Sequence, residues 1–354
     1  MAVPFSHAAS SYLDNYDREL NDALKRQDGV IAVLCDKGKI REEASGGPNF
    51  VTRVMYAGNP NVGFGSTTGQ VSTLQTEGKT MASVPQRFIR GSVVLNDVEV
   101  TRAARNGEWA LGSYIKEEML AAKGAYVQTW ADALRQATPG ANDPLTLLPA
   151  SADAANGILS PQAPASQTAT TAGISRADNS WWRNQYSNTS IDISAESGRA
   201  LLHRRYLDTV FGSSQDDEPD FGLTTALVIS DLAATVDSNK RADYLDKKLV
   251  NFGVRGIMFQ NAMLVRDSST RLDNKVCFLN SRDLYIKFLR QMSHEGFNPS
   301  KESWDQNNEN GSVPVNVLPF IHDIDSFHTI SLFSSIASLV PAQLRTHGLN
   351  DNVV

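Results

Sequence analysis

The chain has 354 residues, of which 41% are hydrophobic and 20% charged, and its formal net charge is −6. That apolar content supports a sizeable buried core and excludes wholesale disorder. The acidic balance, with no block of five or more basic residues, excludes a protein that coats nucleic acid through dense phosphate contacts.

In chain order, residues 10–28 carry a thin apolar stripe (Leu13, Tyr16, Leu20, Ala23, Leu24) that predicts a short polar helix ended by Asp28-Gly29. Val30 to Cys35 reads as a brief buried strand. Residues 57–83 hold five glycines, eight serines or threonines and two charges, Glu77 and Lys79. They lie between strand-like runs, Phe50 to Tyr56 and Val84 to Leu95, rich in Val, Phe and Ile. This pattern predicts a long two-stranded arm with a polar, flexible tip, which needs a partner surface because an isolated hairpin is marginal in water.

Residues 97–136 give the strongest helical signal. Leu111, Ile115, Met119, Ala122, Tyr126, Trp130 and Leu134 recur at steps of three or four and share one face, and Thr138-Pro139-Gly140 stops the helix. Asn106-Gly107 marks a kink or the true start. A fully helical stretch would be a rod of roughly 60 Å, longer than the ~50 Å diameter of a compact globule of this size, which suits a plate. Residues 138–180 carry only four charges and are rich in Ala, Ser, Thr and Pro, so a long mobile loop is expected. Beyond the Trp181–Tyr186 aromatic cluster come a helix over 195–211, a strand entering a helix over 219–230, and strands over 254–265, 276–279 and 284–288. The tail, 313–339, reads as short strand runs with prolines. The class is α+β.

Chemistry-bearing patterns are sparse. Thr73 to Thr80 (TLQTEGKT) lacks the first glycine of a phosphate-cradling loop and has no strand before it, and GFGSTTG at 63–69 lacks the strand-then-helix setting of a dinucleotide fingerprint. His322 and His328 flank Asp323 and Asp325; on one strand they would lie roughly 20 Å apart, too far to share an ion. The acidic run Asp216-Asp217-Glu218-Pro219-Asp220 reads as a hydrated turn. No G-x-S-x-G elbow is present, and Glu117-Glu118 point apart on a helix. Cys35 and Cys277 are far apart, fitting a reducing compartment rather than a disulfide scaffold. No signal peptide or spanning helix is expected, and the chain is expected in the cytosol. The reading is therefore no enzyme, no catalytic residue, no metal and no cofactor. Arg204-Arg205 and Lys247-Lys248 are solvated or subunit-pairing positions. Of Trp181 and Trp182, one is core and the other a candidate interface anchor.

Three stretches carry a resemblance. Thr170 to Tyr186 (TTAGISRADNSWWRNQY) resembles the glycine-isoleucine-x-arginine and tryptophan-tryptophan-arginine-asparagine signature of one group of tailed-bacteriophage major capsid proteins, with Ala172-Gly173 where a glycine pair is usual. Asp217 to Thr225 (DEPDFGLTT) and Gly253 to Asp267 followed by Val276 to Tyr285 (VCFLNSRDLY) resemble later strands of the same group. The resemblance covers roughly residues 10–330 and implies an α+β, HK97-like capsid fold. It divides the chain into an N-terminal arm (1–45), an extended hairpin or E-loop (46–95), a peripheral domain with the spine helix 97–136 and the flexible loop 138–180 (96–190), an axial domain (191–312) and a return to the peripheral domain (313–354). It implies self-assembly into hexamers and pentamers of an icosahedral head, with portal and scaffold proteins and non-specifically held packaged DNA as partners, no membrane, and a place in the virion. The same fold serves encapsulin-type cargo compartments, which is the first alternative. A soluble hydrolase is the second.

Overall fold

The computed structural model describes residues 28–43, 47–57, 78–106, 108–136, 145–148, 157–210, 217–235, 256–267, 272–289, 316–317, 321–323 and 328–354. The predicted helix over 10–28, the hairpin tip, Lys247-Lys248 and parts of 138–180 lie outside them.

The first sheet is organised by its longest strand. Strand β15 (His328–Pro341) pairs with β12 (Leu284–Leu289) on one side and β4 (Phe88–Asn96) on the other, and also with β13 (Asn316–Val317) and β14 (Ile321–Asp323). The three-residue β1 (Ile40–Glu42) adds in parallel to β12. Across the β4–β15 ladder, Ile89, Val93, Leu95 and Phe333 point inward and Phe88, Val94 and Leu332 outward, the period-two pattern of a sheet covered on one face. Gly91 stands opposite Phe333, and a Cβ there would meet the ring at 2.1 Å, so only glycine admits the phenylalanine.

The covering element is the long helix. Its predicted stripe is buried at Leu111, Ile115, Met119, Tyr126, Trp130 and Leu134, with Ala122 partly so. Tyr126 meets Phe333 edge-on at 5.7 Å and shares a 2.9 Å hydrogen bond with the Ser335 hydroxyl. The expected single rod is broken, however. Helix α2 (Asp97–Arg105), capped by the Asn96 side chain accepting from Val98 N and closed at Asn106, has no buried residue. Helix α3 (Glu108–Arg135), about 42 Å of rise for its 28 residues, does the packing. The Asn-Gly step ends the first helix because glycine costs about 1 kcal/mol in a helix interior.

The second sheet has the order β7 (Gln185–Ser187), β16 (Gly348–Asp351), β11 (Lys275–Leu279), β8 (Phe221–Thr224), β10 (Ala262–Arg266) and β9 (Gly256–Phe259). Helices α4 (Glu196–Asp208) and α5 (Ala226–Thr235) build a separate core with it, in which Leu202, Tyr206, Val228, Leu232 and Phe278 are buried. Tyr206 lies edge-on to Phe278 at 5.4 Å. The sheets do not follow contiguous segments. Strand β12, from the 191–312 segment, pairs in the first sheet, whereas β7 and β16, from outside it, pair in the second.

Four sequence readings are corrected. Val30–Cys35 is not a strand but helix α1 (Gly29–Asp36), because Asp28 caps it, its carboxylate accepting from Val30 N (2.9 Å) and Ile31 N (3.1 Å). A six-residue apolar run buried all round carries no periodicity to separate helix from strand. Residues 157–180 are not loose loop; they are built around a buried arginine, described below. The tail holds the short strands β13 and β14, as expected, but its last run is one 14-residue strand, β15. Finally, His322 and His328 do not lie along one strand. The β14–β15 pairing sets Asp323 opposite His328 and His322 opposite Thr329, so the two histidines occupy adjacent rungs.

Where the two sheets approach, His347 is fully buried. Its Nδ1 accepts from Asn280 N at 3.2 Å and its carbonyl from Gln185 N at 2.9 Å. Burial pushes its pKa down to about 3. The folded value lies below the unfolded one, so the neutral ring's contribution is complete above pH ~6.5 and is lost as pH falls toward the folded pKa, at about 1.4 kcal/mol per pH unit. We expect His347→Gln, which keeps an acceptor, to flatten the acid limb of stability between about pH 6 and 4 in urea melts. A variant with the wild-type slope would exclude His347 as its source.

Candidate assembly interface

Strands β2 (Asn49–Met55) and β3 (Lys79–Pro85) form a separate two-stranded ribbon of seven rungs, from Asn49 opposite Pro85 to Met55 opposite Lys79. Alternation divides its faces. Phe50, Val54, Ala82 and Val84 are buried inward, while Arg53, Met55 (65% exposed), Lys79 and Met81 (60% exposed) point out. Two large exposed methionines framed by cations make an adaptable apolar surface that the described residues leave uncovered. A second uncovered apolar area lies on the outer side of β4–β15, at Phe88 (52%), Val94 and Leu332 (48%). On the second unit, Leu207 and Leu227 of α4 and α5 are exposed.

The end of the ribbon nearest the hairpin tip is held by the aromatic cluster. Tyr56, just past β2, stacks on Trp181 with centroids 4.8 Å apart and planes at 14°, and Trp181 meets Trp182 edge-on at 5.7 Å. Trp182 is wholly buried and donates from Nε1 to Thr171 O at 3.0 Å. It is thus the core residue of the pair. Trp181, read as an interface anchor, packs within the chain against Tyr56. Ser83 N of β3 donates to Ala172 O at 2.8 Å, a second tie between ribbon and cluster.

Ala172 and Gly173 are the two-residue turn between β5 (Thr170–Thr171) and β6 (Ile174–Ser175), with φ of 52° and 78°. Two positive values are the signature of a type I′ turn, which favours glycine at both places. That is the physical reason for a glycine pair here, and Ala172 carries a left-handed strain of about 1 kcal/mol. Ala172→Gly should raise stability by about that amount, the relief of strain exceeding the added chain entropy. A lower midpoint in chemical denaturation would count against it.

Beside this turn, Arg176 is buried with no carboxylate partner among the described residues. Its Nη2 donates to Gly157 O (2.7 Å) and Ile158 O (2.8 Å), and its Nη1 to Asn184 Oδ1 (3.1 Å) and Gln167 Oε1 (3.3 Å). Asn184 in turn binds Ser160 through both its N and its O (2.9 and 3.1 Å). Burial lowers the pKa of Arg176 to about 10, which still leaves it charged at neutral pH. The arginine and asparagine of the sequence signature are therefore the two ends of one network that ties 157–160, 167 and 184 together. Its role is positional, since buried polar groups persist only when their partners are in place.

Where nucleophiles or metal ligands were considered, the geometry is bland. Cys35 and Cys277 are buried, and burial pushes the Cys277 thiol well above its usual range. Glu117 is exposed and Glu118 half-buried on α3, with Ser113 donating to Glu117 at 3.4 Å. Arg205 pairs with Asp208 at 3.0 Å on an exposed helix face. Among the described residues no group of three His, Cys, Asp or Glu side chains could hold a metal ion, and no helix is long and apolar enough to cross a membrane.

No family model and no curated protein matches the sequence. Solved structures do. A chain of the cyanophage A-1(L) capsid asymmetric unit superposes with a TM-score of 0.59 at 17% identity, over 90% of this chain and 92% of that one. A chain from the capsid of an empty GTA particle gives a TM-score of 0.52 at 10% identity, over 91% and 90%. The chain has the tailed-phage coat-protein fold. In that fold the sequence placed the α3 stripe and the buried Trp182 correctly, but of the hairpin only the first strand: β3 falls mostly within the predicted tip, and the predicted second strand, Val84 to Leu95, is chiefly β4 of the first sheet. It missed the cation-and-amide knot around Arg176, for which the only available signal was an arginine in a segment otherwise almost free of charge.

Proposed function

We propose that this chain is a major capsid protein, a structural subunit that assembles with copies of itself into the icosahedral head of a tailed phage. One observation carries the reading: the shell-protein fold presents a ribbon, held by Tyr56 on Trp181, whose outward face, Met55 and Met81 between Arg53 and Lys79, has no cover among the described residues. Apolar surface of this kind is stabilised when a partner removes it from water, at about 25 cal/mol per Å². On this reading the β2–β3 ribbon, with the segment between its strands, is the arm laid across a neighbour, the first sheet with α2 and α3 the peripheral part, and the second sheet with α4 and α5 the axial part around the capsomer centre. The subunit has no enzymatic role and takes its place in the virion around packaged DNA, with portal and scaffold proteins as further partners. Negative-stain microscopy and sedimentation velocity of the purified protein test it. Rings, capsomers or closed shells are the expected result. Monomer alone, at high concentration and across several salt conditions, would remove the proposal.

A further inference from the structure

On a chain of net charge −6, the ribbon of β1 and β12 carries cations that its carboxylates leave unneutralised. The parallel register sets Ile40 beside Ile286 and Arg41 beside Lys287, and Ile286 N donates to Lys39 O at 3.0 Å. Ile40, Leu284, Ile286 and Phe288 are buried on one face. Lys39, Arg41 and Glu43 therefore alternate onto the other, with Tyr285 and Lys287. Glu43 takes Lys287 at 2.8 Å. Lys39 Nζ lies 5.4 Å and Arg41 Cζ 4.9 Å from the centroid of the one Tyr285 ring, and among the described residues neither cation has an ion pair. The carboxylates nearest by charge are already engaged. Asp220 accepts from Ser281 N (2.7 Å) and Oγ (2.5 Å) and faces Lys37 at 3.7 Å, and Asp283 accepts from Thr346 Oγ1 at 2.8 Å. Burial, and then the positive charge of Arg41, hold the Lys39 pKa below its ordinary value. An arriving anion relieves that repulsion.

We propose that Lys39, Arg41 and Tyr285 form a binding site for the phosphodiester backbone of nucleic acid. Two cations at alternate positions of one strand are about 6.6 Å apart along it, a spacing suited to an anion that repeats along a chain rather than to a single ion. The guanidinium offers the planar fork that phosphate accepts, and the tyrosine ring holds both cationic heads in place. The site is small, so its affinity is weak and indifferent to base sequence. It deepens the shell reading, in which many copies would face one enclosed polymer, but binding by the subunit does not depend on a shell.

The test is fluorescence anisotropy of a labelled oligothymidylate against the full-length protein over a salt series. Two single-strand phosphate contacts contribute a slope of about −1.4 in log K against log salt. Lys39→Gln/Arg41→Gln should flatten the slope by about that amount, and Arg41→Gln alone by about half. Circular dichroism melts check that the variants fold; if the double variant does not, the exposed Arg41 position decides alone. An unchanged slope overturns the site. So does polyglutamate or inorganic phosphate binding as tightly as the oligonucleotide, which would assign the cations to an acidic peptide or a free ion. Microscopy of the same samples separates the two readings: shells without oligonucleotide binding sink this inference only, and binding without shells sinks only the capsid reading.

Discussion

Arg135→Met should destabilise the subunit by about 3–5 kcal/mol, the usual cost of removing one partner from a buried ionic cluster. Arg135 is the last residue of α3, and its guanidinium reaches two carboxylates from distant parts of the chain. Nη1 donates to Asp28 Oδ2 at 2.5 Å and Nε to Asp267 Oδ2 at 2.5 Å, with Nη2 also on Asp267. The side chains are 10%, 0% and 4% exposed. Burial alone would lower the arginine's pKa, but the two carboxylates overcome it and hold the cation above its ordinary value. Asp28 also caps α1, and Asp267 follows β10, so one residue joins the spine helix, the N-terminal helix and the second sheet. Methionine replaces the stem but takes the cation away from two buried carboxylates. Asp28→Asn/Arg135→Met/Asp267→Asn, which removes both charges together with the cation, should recover much of the loss. Urea denaturation of the two variants measures both effects. A single variant less than 1 kcal/mol below wild type would mean that water already reaches the cluster.

That cluster also shows which parts of the fold were legible in the sequence. A stripe such as Leu111 to Leu134 is visible because helical packing repeats every three to four residues, and the β4 alternation because a half-covered sheet repeats every two. Arg135, Asp28 and Asp267 share no local pattern, and the contact joins residues 107 and 132 positions apart. The same holds for Arg176 with Asn184, whose motif was recognised by resemblance while its hydrogen bonds were not foreseeable. Val30–Cys35 failed for a different reason: a short segment buried on every side has no polar face to reveal its period. Of the candidate interface, a hairpin with a polar tip was legible from composition, but its second strand and the outward methionines were not, since pairing and facing depend on register. Met55 and Met81 are both odd-numbered positions on strands whose buried residues are even.

Replacing residues 57–77 by Asn-Gly should leave a folded subunit that no longer forms stable shells. The replacement preserves all seven rungs of the ribbon, the Tyr56–Trp181 stack and the bond from Ser83 to Ala172, so everything that ties the ribbon to its own chain remains. Asn-Gly is the favoured two-residue turn between antiparallel strands. The removed segment has little with which to support a core, with Val62, Phe64, Val71 and Leu74 its only apolar side chains of any size. The thermal midpoint should thus stay near that of the wild type, while the particle peak in sedimentation gives way to small species. The logic is that of any surface stabilised by a neighbour: ordering it costs conformational entropy, which only intersubunit burial offsets. Because each subunit in a closed shell would both give and receive such a contact, a loss of even about 1.4 kcal/mol per contact weakens association about tenfold at every junction. If the shortened chain instead melts cooperatively at a much lower temperature, the segment belongs to the subunit core and the ribbon is not an arm.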